Sequence, residues 1–207
     1  MQTKKSKIID QKIVIIDYGA GNVFSVKNAL KSIGMEAIVS DRADEINSAD
    51  KVIFPGVGAA GKAMEELDNR SLTKVIQSLK QPVLGVCLGM QLLLDYSEEG
   101  NTNCLGIIPG EVKKFDPFSG LRVPHMGWNR VCYSDKHPLF HGLTGNEWMY
   151  FVHSYYVGDH PNAIGITEYQ NSFTSVIEKD NFTGVQFHPE KSADSGLRLL
   201  QNFIELY

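Results

Sequence analysis

The sequence predicts an α/β fold: an open, mostly parallel sheet flanked by helices, with a β-rich second half. Three observations carry this. In the first half, short apolar runs alternate with segments of helical spacing, the pattern of strand–helix–strand units. Three of those runs end in glycine-rich turns, after Asp17, Phe54 and Val86, where the ligands of a parallel sheet collect. Beyond Ile107, strand-like segments follow one another without helices between them until the C-terminal stretch.

Lys12–Asp17 reads as the first buried strand and Gly19-Ala20-Gly21-Asn22 as a turn. Val23, Val26, Leu30 and Ile33 then recur at helical spacing, and Gly34 is a helix stop. Glu36–Val39 and Val52–Phe54 are short strands, the second leading into the loop Pro55-Gly56-Val57-Gly58. Met64 and Leu67, then Leu72, Val75, Ile76 and Leu79, mark two amphipathic helical pieces. Val83–Val86 is a strand, and a helix-like segment, Met90–Leu94, follows. In the second half, Ile107–Lys114, Trp128–Tyr133, Tyr150–Val157, Ala163–Thr167, Thr174–Glu178 and Phe182–Phe187 read as strands, closed by a helix over about Ala193–Leu206. Residues 1–11 read as an extension and 12–207 as a single domain.

Bulk properties narrow the function class. Of 207 residues, 43% are hydrophobic and 21% charged, ordinary for a globular protein. A net charge of -4 offers no basic field for nucleic acid, and Lys4, Lys5 and Lys7 read as a solvated terminus. Cys87, Cys104 and Cys132 are odd in number and form no CxxC pair, against a disulfide framework or a zinc site. Cys104 and Cys132 read as small buried hydrophobes. No segment reads as a signal peptide, and the longest apolar stretch, near Val83–Leu94, is too short to span a bilayer. The expectation is a cytoplasmic setting in which a free thiol can be a catalyst, with no metal, no cofactor and no membrane or nucleic-acid partner. Gly19 and Gly21 suggest a dinucleotide fingerprint, but Phe24 stands where its third glycine belongs.

The chemistry concentrates at Gly85-Val86-Cys87-Leu88-Gly89. Cys87 sits between a strand and a helix with glycine two residues to either side, the pattern of a sharp turn presenting a nucleophile. A helix N-terminus beside the sulfur favours the thiolate. A cysteine nucleophile needs a base. Of the six histidines, His137, His141 and His160 lie in turn-like surroundings and read as surface residues. His188 ends the strand-like Gly184–Phe187 and is followed by Pro189-Glu190, so it reads as the base at a strand end and Glu190 as the carboxylate that orients it. The amide of Leu88 is one natural oxyanion donor, and Gly56-Val57-Gly58, able to turn a peptide, a second.

Gly85-Val86-Cys87-Leu88-Gly89-Met90-Gln91 together with Gln186-Phe187-His188-Pro189-Glu190 resembles the class I (triad) glutamine amidotransferases, and Pro55-Gly56-Val57-Gly58 looks like that family's oxyanion strand. The resemblance runs from about residue 12 through nearly the whole chain, with the three motifs in the family's order and spacing. It implies a flavodoxin-like, class I amidotransferase fold. Asp17–Asn22, Pro124–Asn129, Tyr150–Tyr155 and Glu190-Lys191-Ser192 are further similar to the glutaminase subunits of imidazole glycerol phosphate synthases.

By that resemblance, Cys87 attacks the side-chain amide of L-glutamine, His188 moves the proton, Glu190 orients His188, and a γ-glutamyl thioester is hydrolysed. Gly56, Val57, Gly58 and Leu88 would form the oxyanion site. Gln91 and Glu99 match residues that hold the amino-acid head group, and Ser154 and Tyr155 match the segment that meets its carboxylate. Asn22, Trp128, Asn129, Tyr150 and Lys191 match interface positions. The implied partner is a (β/α)8-barrel cyclase, forming a heterodimer and using the ammonia to make imidazole glycerol phosphate and aminoimidazole carboxamide ribotide in histidine biosynthesis. Partner binding is implied to help turn the Val57 amide inward.

Two other readings compete. A paralogous glutaminase could supply a surface-sugar amidotransferase, with the same hydrolytic motifs. A cysteine hydrolase of another nucleophile-elbow family would commonly carry its histidine just after the cysteine, where this chain has Leu88.

Overall fold

The computed structural model describes residues 11–19, 21–134 and 136–207, so the expected extension over 1–11 lies outside the described residues except for Gln11. The chain opens with β1 (Ile13–Ile16), α1 (Val23–Ser32), β2 (Ala37–Ser40), α2 (Ala43–Asn47) and β3 (Lys51–Gly56). It continues with α3 (Ala60–Asn69), α4 (Leu72–Ser78), β4 (Val83–Cys87) and α5 (Leu88–Leu92). The second half holds β5 (Tyr96–Ser97), β6 (Thr102–Asn103), β7 (Glu111–Lys114), β8 (His125–Tyr133), β9 (Asn146–His153), β10 (Tyr155–Val157), β11 (Ala163–Glu168), β12 (Ser172–Lys179) and β13 (Phe182–Val185). A 3₁₀ turn, Pro189–Lys191, leads into α6 (Ala193–Leu206).

Five strands form a parallel core in the order β2-β1-β3-β4-β13, and β12 and its neighbours extend that sheet with antiparallel pairs. Strand alternation decides the layers. Ile13 and Ile15 of β1, Ile53 of β3 and Leu84 and Val86 of β4 face one side, where α1 and α6 supply Val23, Val26, Leu30, Leu199, Leu200 and Phe203. Val14, Ile16, Val52, Phe54 and Val83 face the other, covered by Ile46 of α2, Met64 and Leu67 of α3, and Leu72 and Ile76 of α4. Strands buried on both faces explain the unbroken apolar runs of the first half.

The parallel strands deliver their carboxyl ends to one edge. Gly56, at the end of β3, is directly opposite Cys87, at the end of β4, and Val185, at the end of β13, is opposite Val86. Three residues beyond Val185 the chain reaches His188.

Several expected elements differ in extent. Ile107–Lys114 is a strand only from Glu111, because Pro109 has no amide to donate and Gly110 takes a φ of 135°. Tyr150–Val157 divides at Ser154: β9 pairs with β8, whereas β10 pairs with β7 and β12. The switch of ladder breaks the strand although the residues on both sides favour it. Helix α2 and the β5–β6 hairpin lack the apolar periodicity that would announce them. Gly34 does close α1, with a φ of 80° and its amide on the Lys31 carbonyl.

The backbone packs most closely at the turn after β4. A Cβ at Gly89 would collide with the Phe54 carbonyl, and one at Gly85 would lie 2.9 Å from the Gly89 carbonyl oxygen. Both obstacles are backbone and cannot swing away. Gly89→Ala is therefore expected to destabilise the protein by about 2 kcal/mol or more, read as a lowered midpoint in chemical denaturation; an unchanged midpoint would refute the close approach.

Candidate active site

Cys87 closes β4 with φ 55° and ψ -109°, a conformation few side chains tolerate. The crowding explains why glycine flanks it at two residues on either side. The helix must start at once, its backbone against β3, and only glycine at 85 and 89 leaves room. Gly56 obeys the same constraint from the neighbouring strand, since a Cβ there would lie 2.7 Å from the Gly89 nitrogen and 2.8 Å from the Tyr18 hydroxyl.

The sulfur is nearly buried and meets two polar neighbours. Gln186 Nε2 donates to Sγ at 3.8 Å, and the thiol donates to the Val152 carbonyl at 3.9 Å. His188 is buried at the end of the adjacent strand. Its Nδ1 is 2.8 Å from Glu190 Oε1, and both side chains are almost wholly shielded from water. Its Nε2 is buried without a hydrogen-bond partner, with Cys87 as the neighbouring ionisable group. Burial alone would disfavour an imidazolium, but the neighbouring Cys87 and the hydrogen-bonded carboxylate of Glu190 outweigh it and raise His188 to about 10. A thiol beside an imidazole that a carboxylate orients is the arrangement of a nucleophile with its base.

The backbone fixes this histidine as firmly as the carboxylate does. His188 N–H donates to the Tyr150 carbonyl at 2.9 Å. Ser192 Oγ donates to the His188 carbonyl at 2.6 Å and accepts from the Tyr150 amide at 2.9 Å. Gly196 lets α6 press on this turn, because a Cβ there would collide with the Pro189 carbonyl. Ser192, Gln186 and Val152 are site residues that sequence reasoning missed. The motifs carried Gln186 and Ser192, but no local signal gave them a role.

A cleft of about 300 Å³ opens over the sulfur. Val57, Gly58, Cys87, Leu88, Gln91, Glu99, Ser154, Tyr155 and His188 all line it, joined by Pro124, Val152 and His153. Gly58, with a φ of 97°, needs its glycine. Glu99 spans the cleft wall, its Oε2 accepting from the Ala60 amide at 2.8 Å. Gln91 is buried, its Nε2 donating to the Tyr155 carbonyl and to Gln186 Oε1, each at 2.9 Å.

The expected interface residues separate by side-chain direction. Trp128 and Tyr150 stand edge to face on the outer side of β8 and β9, with ring centroids 6.1 Å apart. Lys191 is exposed beside the His188 turn. Asn22 caps α1 by accepting from the Ser25 amide and borders a small pocket with Pro55, Val57, His188 and Glu190. Asn129 instead turns its amide inward, to His125 and the Glu168 carbonyl.

Four expectations are corrected. Cys132 is exposed and Cys104 only half-buried. His137 and His160 are half-buried rather than surface residues, the first against Glu178 at 3.2 Å and the second against the Pro109 carbonyl at 2.6 Å. Burial raises the Cys104 thiol to about 12, so it stays protonated and unreactive.

A strained thiol, a buried histidine–carboxylate pair and a cleft at the carboxyl ends of a parallel sheet define a thiol enzyme of the α/β class. The chain belongs to the class-I glutamine amidotransferase family, whose profile matches residues 14–206. Among curated relatives, the imidazole glycerol phosphate synthase subunit HisH of Bacteroides fragilis strain YCH46 is 48% identical over 196 residues, 94% of this chain and 100% of its own length. The protein of the same name from Pasteurella multocida is 47% identical, covering 94% of this chain and 98% of its own. A solved glutamine amidotransferase superposes with a TM-score of 0.72 over 93% of this chain and 97% of its own, at 17% identity, which shows the shared fold.

Two further buried histidines lie nearby: His153 lines the cleft, and His125 stands behind it. Burial lowers His125 to about 4. Burial, with the charges of His125 and His188, lowers His153 to about 3. An unfolded histidine takes up its proton near 6.5. Below that pH the unfolded chain binds protons that the folded chain refuses until about 4 or 3, so stability falls as pH drops through this window. Removing one such histidine should lessen the acid loss: between pH 7 and 5, His125→Asn is expected to lose on the order of 1–2 kcal/mol less than the parent protein, measured by urea denaturation at each pH. Equal losses would contradict a neutral, buried His125.

Proposed function

We propose that the chain hydrolyses L-glutamine through Cys87, His188 and Glu190 and passes the ammonia to a (β/α)8-barrel cyclase subunit, as the glutaminase of an imidazole glycerol phosphate synthase in histidine biosynthesis. Cys87 and His188 in the cleft, with the buried carboxylate of Glu190 behind the imidazole, carry this reading. The HisH relatives, similar along almost their full length, support the pathway.

Cys87 gives its proton to His188, and the thiolate attacks the amide carbon of glutamine. The oxyanion accepts hydrogen bonds from the Leu88 amide and from the Gly56–Gly58 loop. Glu190 keeps the Nδ1 proton of His188 in place, so that Nε2 serves the reaction. As the tetrahedral intermediate collapses, Nε2 returns its proton to the leaving nitrogen and ammonia departs. Water then attacks the thioester with His188 as base, and glutamate leaves. Gln91 and Glu99 receive the α-ammonium, and the Ser154–Tyr155 backbone receives the α-carboxylate.

Ammonia released to water would be protonated and lost as a nucleophile, so a docked acceptor enzyme suits the chemistry. The face formed by β8 and β9 supports docking there: Trp128 and Trp148 are half exposed and Met126 is 63% exposed. Aromatic anchors of this kind dominate interface energies. Asn22, Tyr150 and Lys191 complete the proposed contact, while Asn129, with its amide on His125 and the Glu168 carbonyl, stands behind it. A single domain over 12–207 and a cytoplasmic setting belong to the same reading, and no described helix is long and apolar enough to cross a membrane.

Cys87→Ala is expected to lower glutamine-dependent synthesis by the assembled enzyme roughly a thousandfold or more, while synthesis from ammonium chloride continues. Loss of both would place the defect in assembly, and survival of both would dismiss Cys87 as nucleophile. His188→Asn is expected to impair glutamine use in the same way, with steady-state assays on both nitrogen sources as the measurement.

A further inference from the structure

Two buried histidines stand beside the cleft with no part in the chemistry above. His125 of β8 lies directly opposite His153 of β9 in the ladder, with Nδ1 of the first 2.9 Å from Nε2 of the second. The partners at the ends of this line assign every proton along it. The Tyr155 carbonyl can only accept, so His153 Nδ1, at 2.8 Å, carries a hydrogen. His153 Nε2 is then the acceptor of a neutral ring, and His125 Nδ1 donates to it. His125 Nε2 is left to accept, and Asn129 Nδ2 stands 3.2 Å away. The direction of that amide is fixed independently: Nδ2 also donates to the Glu168 carbonyl at 2.8 Å, and Oδ1 accepts from the Arg130 amide at 2.7 Å. A second proton on either ring would set donor against donor, and the lowered pKa values of both rings agree.

The line continues into the cleft. A second lone pair of the Tyr155 carbonyl receives Gln91 Nε2, whose other hydrogen goes to Gln186 Oε1. Both hydrogens of the Gln91 amide are committed. What this side chain still offers a ligand is its carbonyl oxygen, an acceptor suited to the ammonium of an α-amino acid.

We propose that His125 and His153 are positioning residues for the substrate: as a neutral donor–acceptor pair they hold the Tyr155 carbonyl and, through it, set Gln91 with its oxygen toward the cleft. The inference rests on the glutamine-hydrolysing reading and adds two residues to it. Asn129 anchors the outer end of the pair. It shares β8 with Trp128, whose side chain points the opposite way. A pair that only filled the core would affect stability but not substrate affinity.

Two measurements test this. In the isolated wild-type chain at pH 7, long-range ¹H–¹⁵N correlations of the imidazole rings should show His125 and His153 both neutral and protonated on Nδ1. An Nε2-protonated ring or an imidazolium at either position overturns the proposal, and this readout needs no turnover. In the assembled enzyme, His153→Leu removes the donor to Tyr155, whereas His153→Asn keeps an N–H near the place of Nδ1. The leucine variant should raise KM for L-glutamine roughly tenfold, with kcat changed less than about threefold and the asparagine variant within about threefold of the parent KM. An unchanged KM in His153→Leu, or an equal rise in both variants, overturns the proposal. Should His153→Leu fail to fold, His125→Leu against His125→Asn gives the same contrast one link further out, with the same outcomes deciding it. A wild-type enzyme that turned over no glutamine would sink the functional reading alone, leaving the ring tautomers to decide the pair.

Discussion

The rest of the structure depends on one close approach of backbone to backbone, between the first turn of α5 and the ends of β3 and β4. There is no room for a Cβ at Gly56, Gly85 or Gly89, and Cys87 between them is forced to a φ of 55°. Such strain costs of the order of 1–3 kcal/mol and persists only where surrounding packing over-determines it. Leu84, Val86, Leu88 and Met90, all buried about the turn, supply that packing. The consequence is positional. The sulfur rises at the crest of the sheet, the β3 loop lies opposite it by register, and β13 alongside β4 brings His188 to the same edge.

Electrostatics then separates three histidines that share one site. His188 meets a carboxylate and a thiol, and both favour its charged form over the opposing effect of burial. His153 meets a carbonyl on one side and a second imidazole on the other, and its nearness to His188 makes a further charge costlier. His125 is buried with only an amide nitrogen and a ring at its two nitrogens. One fold therefore holds a cationic ring and two neutral ones by partner alone. Burial opposes a charge on all three, and Cys87 together with Glu190 makes the difference at His188.

What the sequence made legible was local. Glycine and proline punctuate a chain by what their own backbones allow, so the turn at Cys87, the Gly56–Gly58 loop and the halt at Pro189 could all be read from a few residues. The roles of Gln186, Ser192 and Val152 could not. Their hydrogen bonds join strands β4, β9 and β13, and depend on a strand order that no local window contains. The break at Ser154 was hidden for the same reason, since it marks a change of neighbour rather than of propensity. Cys132 misled because type averages favour burial, whereas this cysteine follows the buried Val131 on an alternating strand and so falls on the open side. His125 and His153 offered only a spacing, and their pairing is a product of the β8–β9 register.

That register also bears on how docking could reach the chemistry. Along β8 and β9, Met126, Trp128, Trp148 and Tyr150 point outward, while His125, Asn129, Met149, Phe151 and His153 point inward. The backbone of β9 touches both groups of the proposed catalytic pair: the Val152 carbonyl takes the Cys87 thiol, and the Tyr150 carbonyl takes the His188 amide. Side chains that would meet a partner thus grow from the same few residues whose carbonyls hold the sulfur and the imidazole. No long conduit of side chains is needed to couple the two surfaces of a single strand. A partner that shifted β9 by a fraction of an ångström would move the hydrogen bond of Cys87 and the backbone anchor of His188 together, and through His153 the Tyr155 carbonyl as well.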